Sequence, residues 1–473
     1  MLFNSLSFLA FLVGVYALYI ILRRRYVAQN RMLLVASYLF YSFWDWRFLA
    51  LLATTTTIDF LVGRALHNTD APGRRKLLLA TSIAANLSIL GFFKYFNFFA
   101  DSFSHLLELL GMHPDFATLN IILPVGISFY TFQSISYTVD IYRRKIKPVR
   151  NFFDYALFVS FFPQLVAGPI ERAANLLPQV TAPRKLVAAQ INAGLFLILW
   201  GYFKKVVVAD NVAMIADTVF NDHTSFEGLD LTLAALAFTV QIYCDFSAYS
   251  DIARGVCKLL GFELMVNFRL PYFALNPSDF WRRWHISLSS WLRDYLYVSL
   301  GGNRKSAMMT YRNLMLTMLL GGLWHGAAWN FVVWGAFHGG ILIAYRAFDR
   351  NPQHDDPWSG RYSRWRVLGK MALMFVLTVI GWIIFRSQSL EQIGYIFSHI
   401  GVIPGPGSLD LAYKLTFFSL PLLVVQLYQY TTRDLLIITK LSVWARMVIY
   451  AFFLIWILIF GVRESIEFIY FQF

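Results

Sequence analysis

Charged side chains make up only 14% of this 473-residue chain, where a soluble domain carries about a quarter. With 58% hydrophobic residues, that scarcity argues against an ordinary water-soluble fold and makes a bilayer the main solvent. Cysteine is nearly absent. Cys244 and Cys257 are the whole complement, and they show no paired metal spacing, so both read as small buried hydrophobes rather than as a disulfide or metal site. No internal repeat, low-complexity tract or flexible interdomain linker interrupts the chain, which is therefore expected to form a single integral-membrane domain over residues 1–473. A Gly-x-Ser-x-Gly elbow is also missing, and with it any sign of an attached hydrolase-like domain. The N-terminus lacks both a basic n-region and a small-residue cleavage site. It reads as a retained first span rather than a signal peptide, because Arg23–Arg25 follow the apolar run.

What the chain has in abundance is long apolar runs, including Ser5–Leu22, Leu77–Phe93, Leu231–Tyr243, Ala372–Phe385 and Val448–Phe460. Spanning a bilayer takes roughly 20 apolar residues, and roughly ten to twelve membrane-embedded segments are expected on that basis. The fold class is then all-α and polytopic, with interfacial and re-entrant segments beside the spans. Aromatic residues, 18% of the chain, suit lipid-facing surfaces and interfacial belts.

The net charge of +14 reads as the positive-inside bias of cytoplasmic loops rather than as an affinity for nucleic acid. Basic clusters occur at Arg23–Arg25, at Arg64/Arg74/Arg75/Lys76 and at Arg143/Arg144/Lys145/Lys147/Arg150. Asp101–Asn120, which includes Glu108 and Asp115, and Asn221–Asp230 contain no Lys or Arg. Basic loops in the cytoplasm put the N-terminus and both acidic loops outside. Parity is harder to assign near Arg172, Arg184, Lys185, Lys204 and Lys205. A re-entrant segment through Phe152–Ile170, broken at Pro163 and at Gly168–Pro169, is the simplest solution. Such a break at membrane depth implies an internal cavity. Asp349–Trp365 is the longest polar stretch and is too short for a domain.

Arg269–Arg312 is rich in Arg and Lys, which assigns it to the cytoplasmic side. Asn276 and Pro277 read as the cap and first turn of a helix. Trp281, Trp284, Leu288, Trp291 and Tyr295 then recur on one face, opposite Arg282, Arg283, Ser287, Ser290 and Arg293. A single interfacial helix is expected. His285 falls on its border, either as a satisfied interfacial histidine or at the mouth of a pocket where the arginines attract an anionic thioester.

Beyond Arg312 the chain re-enters the membrane and reaches Gly321-Gly322-Leu323-Trp324-His325-Gly326-Ala327. At 1.5 Å per residue His325 is expected roughly 20 Å deep, where an ionisable group is costly and marks a cavity. The small residues around it suit close backbone or substrate approach. His338 is expected near the returning membrane face. Asp245, one turn from Gln241, either orients a histidine or forms a structural ion pair. Asp251 and Arg254 follow at i and i+3, and Lys94 is expected to snorkel or pack.

Asp279-Phe280-Trp281-Arg282-Arg283-Trp284-His285-Ile286-Ser287-Leu288-Ser289, its continuation to Gly301-Gly302-Asn303-Arg304, and Gly322–Ala327 resemble the membrane-bound O-acyltransferases (MBOAT). Further similarity runs through Pro124–Phe129, Pro163–Pro169 and Tyr243–Ser250, with Cys244 and Ala248 standing where the pattern has Phe and Gly. Within the family the chain is most similar to the membrane subunits of bacterial alginate O-acetylation. The resemblance implies helices around a tunnel, an essential His325 with a supporting His285, and an acyl donor entering from the cytoplasm. His325 would be a general base or a transient acyl acceptor. Arg282, Arg283, Trp324, Asp245 and Asn330 are expected to bind the donor or line the tunnel.

No bound cofactor or metal is implied. Acetyl-CoA or another acetyl thioester is the donor substrate, and a periplasmic polysaccharide O-acetyltransferase is the partner. The expected activity is O-acetylation of an extracytoplasmic polysaccharide from the bacterial inner membrane, with alginate ahead of cellulose and peptidoglycan. The rival from another class is a polysaccharide or lipid transporter, which also uses broken helices and buried polar groups.

Overall fold

A segment in lipid must satisfy its own backbone groups, so these apolar runs become helices. The computed structural model describes residues 1–112, 119, 121–166, 168–348, 363–463, 468 and 469. Asp115, Asn120, Ala167 and residues 349–362 of the polar stretch lie outside the described residues. Among the described residues there is no β-strand, only an isolated bridge joining Gly228 to Ile400. Among the described residues, eight helical segments are long and apolar enough to cross a membrane.

The chain opens with α1 (Leu6–Ile21), α2 (Tyr26–Asp45), α3 (Phe48–His67) and α4 (Pro72–Leu90). A π-helical turn, Gly91–Tyr95, carries α4 into α5 (Phe96–Leu109), and α6 is Ile127–Tyr142. Next come α7 (Phe152–Ser160) and α8 (Phe162–Leu165). Nine residues of α7 rise only about 13 Å, too little to cross, and the chain from Tyr155 to Leu165 is buried. The break falls at Phe161, where ψ is 110°, while Pro163 fits inside the first turn of α8.

After α9 (Ala173–Val180), α10 (Ala188–Tyr202) runs through a second π-helical stretch, Phe203–Ala209, into α11 (Asp210–Asn221). Lys204 and Lys205 therefore sit inside a membrane-crossing helix and do not mark a loop. Lys204 Nζ donates to Ser247 Oγ and Asp251 Oδ2, both at 2.8 Å. Lys205 pairs with Asp245 at 2.7 Å and Asp210 at 2.9 Å. With these two cations buried and paired, the basic loops alternate regularly with the acidic ones.

The centre of the molecule is α12 (Leu229–Leu259), 83% buried over its apolar window; α20 (Val443–Phe460) at the periphery is 6% buried. α12 packs on α10, α11, α17 (Arg364–Arg386) and α19 (Ser408–Thr432). Its contact with α10 is close because a Cβ on Gly194 would meet the Gly255 carbonyl and one on Gly255 the Gly194 carbonyl. Between α12 and α17 come α13 (Pro277–Trp281), α14 (Ile286–Trp291), α15 (Ala307–His325) and α16 (Trp329–Phe348). α18 (Leu390–His399) precedes α19.

On the basic side, Glu171 ties the loop after α8 to the chain beyond α12, its Oε1 accepting from Met265 N–H. Burial pushes its carboxyl up to about 7, against the opposing pull of backbone N–H groups and Arg172. A folded-state value above the unfolded one stabilises at low pH, and this contribution is lost as pH rises through about 7. Glu171→Gln is expected to flatten that part of the decline in melting temperature between about pH 4.5 and pH 7. An unchanged pH profile in the variant would exclude this role.

Candidate active site

His325 is the last residue of α15, whose start is capped by Ser306 Oγ accepting from Met309 N–H. Gly326 leaves the helix in extended conformation (φ −157°, ψ 153°) and the chain turns at once into α16. Eighteen residues of rise place His325 about 27 Å from Ala307, at the acidic end of α15. The glycines serve the turn: a Cβ on Gly322 would strike the Phe331 carbonyl, one on Gly326 the Phe331 ring, and one on Gly335 the Met318 carbonyl.

Ending a helix inside the protein leaves carbonyls unsatisfied. Lys94, on the π turn after α4, supplies the donors: its Nζ reaches Trp324 O at 2.7 Å and His325 O at 2.9 Å. Lys94 therefore neither snorkels nor merely packs. Lys94 and His325 line a cavity of about 70 Å3 together with Trp324, Trp44 and Ser128. Gly126 opens α6 beside them at φ +76°, where a Cβ would also collide with the Leu165 carbonyl. Trp44 ends α2 and Ser128 begins α6, so the cavity belongs to the acidic side.

The expected single helix around His285 is two. α13 stops at Trp281, and His285 adopts the left-handed conformation (φ 42°, ψ 54°) before α14 begins. Non-glycine residues pay for that conformation, and it concentrates at functional sites. Here Asn267 enforces it: its carbonyl accepts from Ile286 N–H at 2.9 Å, and its Oδ1 accepts from Ser287 N–H at 3.1 Å and Ser287 Oγ at 2.9 Å. The turn drives His285 into the core, where it is fully buried. Its Nδ1 accepts from Leu288 N–H at 3.3 Å, which places the proton of the neutral ring on Nε2. Nε2 has no hydrogen-bond partner among the described residues.

One indole touches both histidines. Trp324 lies 5.9 Å from the His285 ring and 5.2 Å from the His325 ring, between Phe129 (5.5 Å) and Phe132 (5.6 Å). Trp334 and Phe385 close the far side of His325 at 5.1 and 5.4 Å. His338 is not near a membrane face. It lies midway along α16, buried against Trp334 at 4.7 Å and Trp281 at 5.1 Å.

Three expected site residues turn elsewhere. The Asp245 carboxylate is held by Lys205 and by Ile469 N–H (2.8 Å), and it is the adjacent Phe246 that packs on His285 at 4.5 Å. Asn330 anchors α16 to the end of α17 by donating to Phe385 O and Ser387 O. Arg283 is spent on Asp279 at 2.9 Å, leaving Arg282, half exposed, at the basic rim. The sequence reading missed Lys94, Ser128 and Asn267. Only Lys94 carried a visible signal, a lone cation inside an apolar run.

A bundle with eight apolar helices long enough to cross, among the described residues, defines a multi-pass membrane protein. The model of the membrane-bound O-acyltransferase family matches residues 142–384. The chain is 44% identical over 397 residues to the Probable alginate O-acetylase AlgI of Pseudomonas putida, covering 83% of this chain and 78% of that one. It is 38% identical over 386 residues to the Peptidoglycan O-acetyltransferase of Helicobacter pylori, covering 76% and 71%. It is 26% identical over 290 residues to the Teichoic acid D-alanyltransferase of Bacillus subtilis, covering 58% and 71%. The chain belongs to the membrane-bound O-acyltransferase family and is an acyltransferase.

Proposed function

We propose that this enzyme passes an acetyl group from a cytoplasmic thioester, acetyl-CoA or a carrier thioester, to a hydroxyl on the outer side of the bacterial inner membrane. The observation that carries the reading is the packing of two buried histidines against one indole, with His325 beside a cavity on the acidic side. The thioester docks at the basic rim near Arg282, and His285 Nε2–H donates to its carbonyl oxygen. His325 accepts the proton of the attacking hydroxyl as its oxygen bonds to the acyl carbon. The carbon–sulfur bond breaks, and the proton passes to the departing thiolate. Lys94 holds the main chain of His325 and brings a third N–H to the cavity.

The similarity to alginate and peptidoglycan O-acetylating relatives supports a polysaccharide as the final acceptor, with alginate first. A periplasmic acetyltransferase would be the next carrier. The test is transfer of label from radiolabelled acetyl-CoA, in proteoliposomes, to that partner and the polymer. Label on the polymer is the expected result; polymer movement without label transfer would establish a transporter instead.

A further inference from the structure

A crevice of about 590 Å3 opens on the lipid-facing flank between α12, α17 and α19. Leu368, Met371 and Phe375 of α17 form one wall and Leu415 and Leu423 of α19 another. The volume lies within the roughly 300–1,000 Å3 of small-molecule sites and far exceeds an acetyl group. On α19 three polar residues break the hydrocarbon lining, Thr416, Ser419 and Gln426, the last two seven residues apart and so on one face. Gln426 is 6% exposed, and neither its Nε2 nor Ser419 Oγ has a hydrogen-bond partner among the described residues. In a bilayer such an unsatisfied amide is costly and calls for an acceptor.

The position of the amide says which acceptor. Gln426 lies under two turns from the end of α19 on the basic side, at the level where acyl hydrocarbon gives way to ester oxygens. Cations follow at the rim. Arg364 precedes Leu368 by four residues, on the same face of α17, and Arg433 follows the last residue of α19. Hydrocarbon, then an amide donor, then arginines match a phospholipid read from its chain to its phosphate.

We propose that the crevice holds an acyl chain of an anionic phospholipid from the leaflet on the basic side, its ester oxygen accepting from Gln426 and its phosphate facing Arg364 and Arg433. The site stands apart from the transfer reaction and does not depend on the reading above.

The test reconstitutes the full chain in nanodiscs of equal phosphatidylglycerol and phosphatidylcholine and counts retained lipid by native mass spectrometry. Wild type is expected to keep one phosphatidylglycerol in preference to phosphatidylcholine. Ala372→Trp, which fills the crevice, should lose it, and Gln426→Leu should retain about fivefold less, the worth of one hydrogen bond. Equal retention of the two lipids by wild type, or unchanged retention in either variant, overturns the proposal. Should the variants fail to fold, titration of wild type with fluorescent phosphatidylglycerol decides: saturation at one site supports the crevice, and linear partitioning overturns it.

Discussion

Replacing His325 with alanine is expected to reduce acyl transfer at least 100-fold while the protein still inserts and purifies as a folded monodisperse species. A positioned general base contributes roughly 10²–10⁴-fold, or about 3–5 kcal/mol of barrier. The structure separates that loss from unfolding, because the bonds that secure the end of α15 are made by the main chain. Lys94 binds the carbonyl oxygens of Trp324 and His325, and both survive the substitution. Lys94→Met provides the contrast. It leaves the imidazole in place but strips those carbonyls of their donor, so kcat should fall together with melting temperature. Polymer acetylation at the wild-type rate in the His325→Ala protein would remove His325 from the mechanism.

Lys205→Met should be the most destabilising single change outside the site. Lys205 is buried between Asp245 at 2.7 Å and Asp210 at 2.9 Å, both buried too. Removing the cation strands two carboxylates in the helix bundle, a loss on the order of 3–5 kcal/mol. Against a total stability of about 5–15 kcal/mol, that predicts poor yield and a sharply lower melting temperature. The triple variant Lys205→Met/Asp210→Asn/Asp245→Asn, which removes the stranded charge, should recover most of it. A single variant that melts with wild type would show that the network contributes nothing.

How far the sequence reveals this molecule depends on the range of the forces at each point. Hydrophobic length is local, and the helical, multi-pass class follows directly from it. The same holds for the Asn276–Pro277 helix start, whose cap bond the structure contains, with Asn276 Oδ1 accepting from Asp279 N–H at 2.7 Å. Periodicity misled at His285 because Asn267, an earlier segment folded alongside, imposes the left-handed turn. Loop charge misled at Lys204 and Lys205, which look like a basic loop until α12 supplies their carboxylates. His325 was visible as a buried ionisable group, but its partner Lys94 lies 231 residues away and no spacing rule connects them. His338 was misplaced because the turn after His325 restarts the count at Trp329.

The indole of Trp324 also bears on the electrical tightness of the membrane. The cavity beside His325 ends against that ring, and the His285 side chain beyond it is closed off from solvent. Aromatic surface at this point disfavours a file of water along which protons or ions could run. A group can then be handed from one side to the other while the gradient across the bilayer is kept.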